Sequence, residues 1–344
     1  MKNFKILAGI GVLAILTILS LTFWIGCGSD DPNEPGTSYS SAPPADVFER
    51  VKAIQEKHTD KLMEKLGVIG TAIGFDRNSN PAIYVLTEKA GIPDIPKELD
   101  SVPVIVEVSG KIEALGKPVK SEIYDRTKRY RPAPIGVSTG HPAITAGTIG
   151  CRVKKGDNVY ALSNNHIYAN ENKAKIGDNV LQPGAYDGGE NPDDAIGTLS
   201  AFCPIVFKRT ASNVIDAAIA ISNEENLGNS TLPDSYGTPK SIPVSATIGM
   251  QVKKDGRTTA LTYGQIYLIN ATVNVQYDRG IARFVNQIII TPGGFSAGGD
   301  SGSLIVTKDG NSPVGLLFAG SSTMTVANPI QKVLDYFGVT IDGQ

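Results

Sequence analysis

The sequence is poor in the residues that build metal centres and disulfide frameworks. It has three cysteines, Cys27, Cys151 and Cys203, and none of them forms a CxxC pair. Its three histidines show no HExxH motif or other paired spacing. These absences disfavour structural zinc, a catalytic transition metal and a disulfide-knit miniprotein, so no metal or other cofactor is expected.

An excess of charge of one sign is also lacking. Lys and Arg total 32 against 34 Asp and Glu, which leaves no strong field to concentrate polyanions, so nucleic acid is not an expected partner. The 37 glycines, 21 prolines and many short runs of Val, Ile and Thr are typical of strands and turns. A chain of 344 residues predicts one large domain of about 200 residues and a smaller unit.

The N-terminus has the pattern of an export signal. Residues 6–26 carry no charge, follow Lys2 and Lys5, and end at Cys27. The Ile-Gly-Cys ending resembles the lipobox of bacterial lipoproteins, which implies that Cys27 is lipidated; 21 uncharged residues could equally span a bilayer as an uncleaved anchor. Either way, we expect the body in the periplasm or outside the cell, tethered to the cell membrane or the outer membrane.

Composition then divides the rest of the chain into four segments. After the signal or anchor at 1–27, residues 28–44 are rich in Ser, Pro, Gly and Asp and predict a disordered tether. Helical spacing followed by strand patterns predicts a small α+β domain over 45–112. A basic stretch, 113–135, is interpreted as a solvated linker, and the main domain covers 136–344.

The main domain is predicted to be mainly β. Many short apolar runs are separated by turn residues, and one helix near residues 329–337 closes the chain. No alternation of helices and strands is present, which disfavours a parallel α/β sheet and an α/β-hydrolase. The pattern therefore predicts a β-sandwich or a pair of β-barrels.

A glycine-rich segment around Ser301 has the character of a nucleophile turn. Flanking glycines let the backbone turn tightly, so that amides converge beside an exposed hydroxyl; glycine-flanked serines also occur in ordinary turns. A nucleophilic serine needs a base, and His166, at the polar end of a predicted strand, is preferred. His58 is expected on the polar side of a helix and His141 in a loop.

Two carboxylates are candidates to orient this histidine. Asp216 interrupts an otherwise apolar strand, and a buried carboxylate must find a partner such as an imidazole N–H. Asp194 is the alternative, with the capping of a turn as its simpler role. The preferred chain order is therefore His166, Asp216, Ser301.

Several motifs resemble those of known peptidases. Asn165-His166, Asp216-Ala217-Ala218 and Gly299-Asp300-Ser301-Gly302-Ser303 resemble the signature blocks of trypsin-like serine peptidases of the chymotrypsin fold. Residues 140–148, 162–166, 256–259 and 327–330 are similar, more narrowly, to the bacterial and plant peptidases related to the narrow-leaf protein. The resemblance spans about residues 136–339.

The resemblance implies a double six-stranded antiparallel β-barrel, with a catalytic triad of Ser301, His166 and Asp216. It implies an oxyanion hole at the amides of Gly299 and Ser301, with Asp300 shaping the loop. It also implies a substrate pocket lined by Phe295, Ala319, Gly320 and Ser321. No carboxylate stands at Phe295, so an Arg/Lys preference is not supported.

The leading interpretation is an exported, membrane-tethered serine endopeptidase that cleaves peptides or proteins. Its alternative is a catalytically silent barrel that serves as a scaffold or partner-binding surface protein. A quality-control protease with a following PDZ domain is disfavoured, because few residues follow the predicted barrels. An oligomer is compatible with the sequence. We also hypothesise that the unit at 45–112 limits access to Ser301; recruitment of a partner would explain the same layout.

Overall fold

The structure, a computed structural model, describes residues 45–114 and 124–344, which all belong to one compact unit. The predicted signal and tether, including Cys27, and residues 115–123 of the predicted linker lie outside the described residues. Among the helices that are described, none is long and apolar enough to cross a membrane.

The described chain is mostly strand, with three α-helices. The helices are α1 Ala45–Met63, α2 Asn165–Tyr168 and α3 Ile330–Phe337. The strands are β1 Val68–Phe75, β2 Pro81–Thr87, β3 Glu98–Leu99, β4 Val102–Val108, β5 Glu113–Ala114, β6 Ser138–Thr139, β7 Gly147–Thr148, β8 Cys151–Lys155, β9 Asn158–Ser163, β10 Asn179–Leu181, β11 Ala195–Phe202, β12 Ala218–Ser222, β13 Gln251–Lys254, β14 Thr262–Tyr277, β15 Gly280–Thr291, β16 Leu304–Thr307, β17 Pro313–Gly320, β18 Thr325–Pro329 and β19 Thr340–Ile341.

The first barrel is a six-stranded sheet with the order β10-β11-β12-β9-β8-β19. Successive side chains of β9 point to opposite faces of the sheet: Leu162 packs in one buried cluster and Ala161 in another. Since both faces are covered, β9 has an almost continuous apolar sequence rather than an alternating one.

The second barrel is a closed ring of six strands. Its order is β13-β16-β17-β18-β15-β14, and β14 pairs back to β13. Val252, Ile290 and Leu317 are among the residues that fill it. Closure leaves no free sheet edge around the ring. The predicted mainly β fold with two six-stranded units is confirmed.

The N-terminal segment continues the sheet of the second barrel. β14 is 16 residues long; its first part pairs with β13 and its later part with β1, which leads on to β2 and β4. Helix α1 covers this extension, with Val51 and Ile54 packed on Ile73 and Ile83. The predicted α+β elements at 45–112 are present, but one sheet joins them to the barrel. The sequence of β1 does not reveal that this strand pairs with β14, because an edge strand and a central strand can have the same apolar content.

The basic stretch before the first barrel differs from a solvated linker. Arg126 is only 2% exposed and forms ion pairs with Asp255 at 2.7 Å and Asp234 at 2.9 Å. Arg131 donates hydrogen bonds to Gln182. This corrects the predicted solvated linker at Arg126 and Arg131, whose positive charges are held by acceptors that lie far away in the sequence.

Candidate active site

His166 and Asp216 meet at the ends of two neighbouring strands. Because β9 and β12 are antiparallel, with Ser163 opposite Ala218, the residues that follow β9 lie beside those that precede β12. The sequence predicted His166 at a strand end; the structure puts it in the short helix α2. Its Nδ1 lies 2.6 Å from Asp216 Oδ2, and its backbone N–H donates to Asp216 Oδ1 at 3.2 Å. Asp216 has no exposed surface.

The second barrel also contributes to this carboxylate. The Tyr277 hydroxyl, on β14, donates to Asp216 Oδ2 at 2.8 Å, and its ring packs edge-on against His166. Asn328, on β18, accepts the backbone N–H of Asp216 through Oδ1. Burial and the Asp216 charge raise the pKa of Tyr277 well above its usual value. Sequence reasoning missed Tyr277; the only signal was that a buried carboxylate needs several donors.

Two glycines shape the turn that carries Ser301. Gly299 and Gly302 have φ values of 95° and 96°, which a residue with a Cβ adopts only at a cost. At Gly302, a Cβ would also overlap Ser163 Oγ and the Thr148 carbonyl oxygen. The Ser301 carbonyl accepts the N–H of Thr148 at 2.8 Å. The turn is therefore seated against the first barrel, close to the strand that leads to His166.

Asp300 anchors the same turn from inside. Its completely buried carboxylate accepts the backbone N–H groups of Thr258, Thr259 and Ala297 at 2.9 to 3.1 Å. Lys254 Nζ, equally buried, lies 3.5 Å from it. Burial lowers the pKa of Lys254 despite the neighbouring acids Asp300 and Asp255. This arrangement matches the expectation that Asp300 shapes the loop.

The Ser301 hydroxyl is not bonded to the histidine in this conformation. It donates to the carbonyl oxygen of Phe318 at 3.2 Å, and Ser301 has no exposed surface. Nε2 of His166 is buried and has no hydrogen-bond partner among the described residues. His166 therefore has one ring nitrogen engaged by Asp216 and one without a described partner, while the Ser301 hydroxyl is engaged by a backbone carbonyl.

The residues of the predicted pocket fall into two groups. Ala319 and Gly320 lie at the end of β17, one and two residues beyond Phe318, and Ser321 begins the turn that follows. Phe295 is 1% exposed and packs in the buried cluster that fills the second barrel. The strand residues therefore border the Ser301 turn, while Phe295 contributes to packing.

The alternative site residues are engaged elsewhere. Asp194 accepts from Arg129 Nε at 2.6 Å, His58 lies 3.0 Å from Asp100, and His141 lies 3.2 Å from Asp178. The structure therefore brings Asp216, and not Asp194, to His166.

The described residues contain no group of three or more His, Cys, Asp or Glu side chains that could hold a metal ion. Cys151 and Cys203 are both free thiols.

Comparison with known proteins gives one family match and several similar folds. The profile of the Nal1 C-terminal domain family matches residues 205–330. A glutamic acid-specific serine protease is 22% identical with a TM-score of 0.44, over 60% of this chain and 98% of that chain. Thermobifida fusca protease A is 19% identical with a TM-score of 0.44, over 61% and 98% of the two chains. Cellulomonas bogoriensis chymotrypsin is 19% identical with a TM-score of 0.42, over 61% and 98%. No curated protein matches the chain.

Proposed function

We propose that this protein is a serine endopeptidase. The observation that carries the proposal is the buried pair of His166 and Asp216, joined at 2.6 Å, with Nε2 of the same imidazole left without a partner. An imidazole held by a carboxylate through Nδ1 and free at Nε2 is what a general base for a hydroxyl requires. Ser301, on a glycine-flanked turn of the other barrel, is the hydroxyl.

In the proposed mechanism, Ser301 Oγ turns from Phe318 towards His166 and attacks a peptide carbonyl. His166 Nε2 takes the hydroxyl proton and later returns it to the leaving amine, while Asp216 holds the imidazole tautomer and stabilises its cation. A water molecule then attacks the acyl-enzyme with His166 as the base, and the proton is returned to Ser301 Oγ as the acyl group leaves as a carboxylic acid. Tyr277 and the backbone N–H of His166 both donate to Asp216 and hold its carboxylate in position.

The developing oxyanion would be held by backbone amides. The N–H groups of Gly299 and Ser301 donate no hydrogen bond to a described residue, whereas the neighbouring amides of Asp300 and Gly302 are bonded within the protein. Two amides left free on one turn are the donors that an acyl-transfer site needs, each worth about 3 kcal/mol in the transition state. The bonds to Asp300 would keep this turn in place during reaction.

A catalytically silent scaffold is the second candidate, and one observation favours it. The Ser301 hydroxyl is buried and bonded to Phe318 rather than to His166. A domain that never turns over could keep this state permanently. The two functions differ in whether Ser301 ever becomes nucleophilic.

A fluorophosphonate probe tests the proposal directly. The folded chain should be labelled at Ser301, and Ser301→Ala should lose the label. Ser235→Ala is the matched control, because the Ser235 hydroxyl is also buried but has no hydrogen-bond partner among the described residues. Labelling at Ser301 that disappears only in Ser301→Ala supports the enzyme, and a folded chain that is never labelled at Ser301 supports the scaffold.

The proposal includes export and a membrane tether at the N-terminus. It rests on the uncharged run before Cys27 and the lipobox-like Ile-Gly-Cys ending. Intact mass of protein extracted from membranes is the measurement: a chain that starts at Cys27 with added acyl mass supports the lipoprotein. A chain that keeps its first residues would instead support an uncleaved anchor.

A further inference from the structure

One edge of β17 beside the Ser301 turn is occupied by the chain itself. β18 pairs with β17 along one edge as far as Gly320. Along the other edge β16 comes first, then the Ser301 turn, whose Gly302 N–H donates to Leu317 O. Beyond it, Glu113 and Ala114 of β5 pair with Gly320 and Ala319. We propose that this edge is a binding site for an extended peptide and that residues 109–114, here named the strap, occupy it as a built-in competitor of substrate. The proposal rests on the peptidase function proposed above.

The direction of the strap matches that of an acyl donor. The pairing is antiparallel: Glu113 lies opposite Gly320 and Ala114 opposite Ala319. The strap therefore runs towards Phe318. The carbonyl of Phe318 is the group that accepts the Ser301 hydroxyl. A substrate lying in the same place with the same direction would extend its next residues towards Ser301, and its carbonyl carbon could be attacked there.

The strap is held by its backbone and by one apolar side chain. Ile112 is 2% exposed and belongs to the same buried cluster as Phe318 and Ala319. The Ile112 carbonyl accepts the N–H of Gln276 at 3.0 Å, and the Ser109 carbonyl accepts the Thr323 hydroxyl at 3.1 Å. Glu113 is exposed and Ala114 half-buried, so pairing at these two positions depends on the main chain. The site therefore fits an extended peptide with an apolar residue at the position of Ile112, recognised as an added strand.

An open groove borders the strap. This groove, of about 960 Å³, is lined by Lys111, Ile112 and Glu113, together with residues of β1, β14 and the end of α1. The strap pairs with β17 on one edge and, at Glu113 alone, with Gln276 of β14 on the other. Its covalent attachment gives it a high effective concentration at β17, so a substrate must compete with a neighbour that never diffuses away.

Peptide binding to the inactive variant Ser301→Ala tests the proposal without requiring catalysis. The probe is a fluorescein-labelled hexapeptide with the sequence of residues 109–114, followed by anisotropy. Adding Glu113→Pro and Ala114→Pro removes both main-chain donors of β5, one facing β17 and one facing the opposite edge, and leaves the buried Ile112 in place. We expect this variant to bind the probe about tenfold more tightly than Ser301→Ala alone, since the strap loses a donor on each edge. The control Glu113→Ala keeps the backbone donors and should bind like Ser301→Ala.

A second variant covers the case in which the prolines disturb folding, which thermal unfolding will reveal. Ile112→Val removes one buried methyl group from the strap, leaves β17 and the probe unchanged, and should raise probe affinity about threefold. Equal probe binding by Ser301→Ala with and without these changes, in folded proteins, overturns the proposal. Labelling by the fluorophosphonate is independent of this result. If neither the native chain nor the proline variant is labelled at Ser301, the peptidase function fails while the binding result stands.

Discussion

The two halves of the candidate active site are held in opposite ways. Asp216 and His166 belong to the first barrel, yet the Tyr277 hydroxyl of the second barrel donates to the Asp216 carboxylate as well, and Asn328 of that barrel accepts the Asp216 backbone N–H. Ser301 belongs to the second barrel, and its hydroxyl is bonded to a carbonyl of that same barrel. A buried carboxylate must satisfy several acceptor sites and so collects donors from both barrels, whereas a neutral hydroxyl needs one acceptor and takes the nearest.

The difference extends to the surroundings of each half. The imidazole of His166 is fixed through Nδ1, while Nε2 is unpartnered. The edge of β17 next to Ser301 is filled by Glu113 and Ala114. In the proposed mechanism His166 is therefore already oriented, and we expect any change on reaction to occur on the Ser301 side. Four predictions test this contrast.

The largest effect should come from the two groups that exchange the proton. Ser301→Ala and His166→Ala should each lower kcat on a peptide ester on the order of 10⁶-fold without unfolding the chain. Because the two act as a unit, the double variant should be no slower than either single variant. A double variant that is much slower would mean that the two side chains act independently, against the assignment.

Asp216→Asn should have the next largest effect. The amide keeps the size of the side chain but favours the wrong imidazole tautomer, so kcat should fall on the order of 10⁴-fold. Asp194→Asn is the matched control, since Asp194 bonds to Arg129 instead, and its kcat should stay near that of the native chain. Equal losses in the two variants would reverse the choice of carboxylate.

Tyr277→Phe should give a smaller loss. Removing the hydroxyl leaves the Asp216 carboxylate with one donor fewer and less well positioned. We expect kcat to fall about tenfold with KM unchanged, because a less firmly held carboxylate orients the His166 imidazole less well. Tyr263→Phe, on the same strand but 54% exposed, should change neither. An unchanged kcat in Tyr277→Phe would leave Tyr277 a purely structural residue.

The smallest effect concerns the two thiols of the first barrel. Burial raises the pKa of both Cys151 and Cys203, so each should react slowly with a thiol reagent in the folded protein. Cys203, which is only partly buried, should react first, and Cys151 only as the protein unfolds. Time courses of the native chain and of Cys203→Ser separate the two. Fast labelling of Cys151 in the folded chain would show that the first barrel opens readily.

Local patterns were sufficient for much of the architecture. Val68–Phe75 and Val102–Val108 were predicted as strands from apolar runs, and the closing helix was predicted from its proline start and the glycine after its end. The strand β13, Gln251–Lys254, was missed. With two lysines in four residues, it lacks the apolar pattern of a buried strand, although Lys254 is fully buried beside Asp300. Its burial depends on a partner 46 positions away, which no local pattern contains.

The sequence by itself determined which chemical groups this protein has and in what order: His166, Asp216 and a serine between glycines. Asp216 could be preferred to Asp194 because a carboxylate inside an apolar run of the sequence has to be bonded. Only the tertiary structure decided that Tyr277 completes the carboxylate, that Ser301 turns to Phe318, and that Glu113 and Ala114 fill the edge of β17. These contacts join residues between 17 and 207 positions apart. They follow from how strands pair and barrels close, over sequence separations at which no local pattern reports a contact.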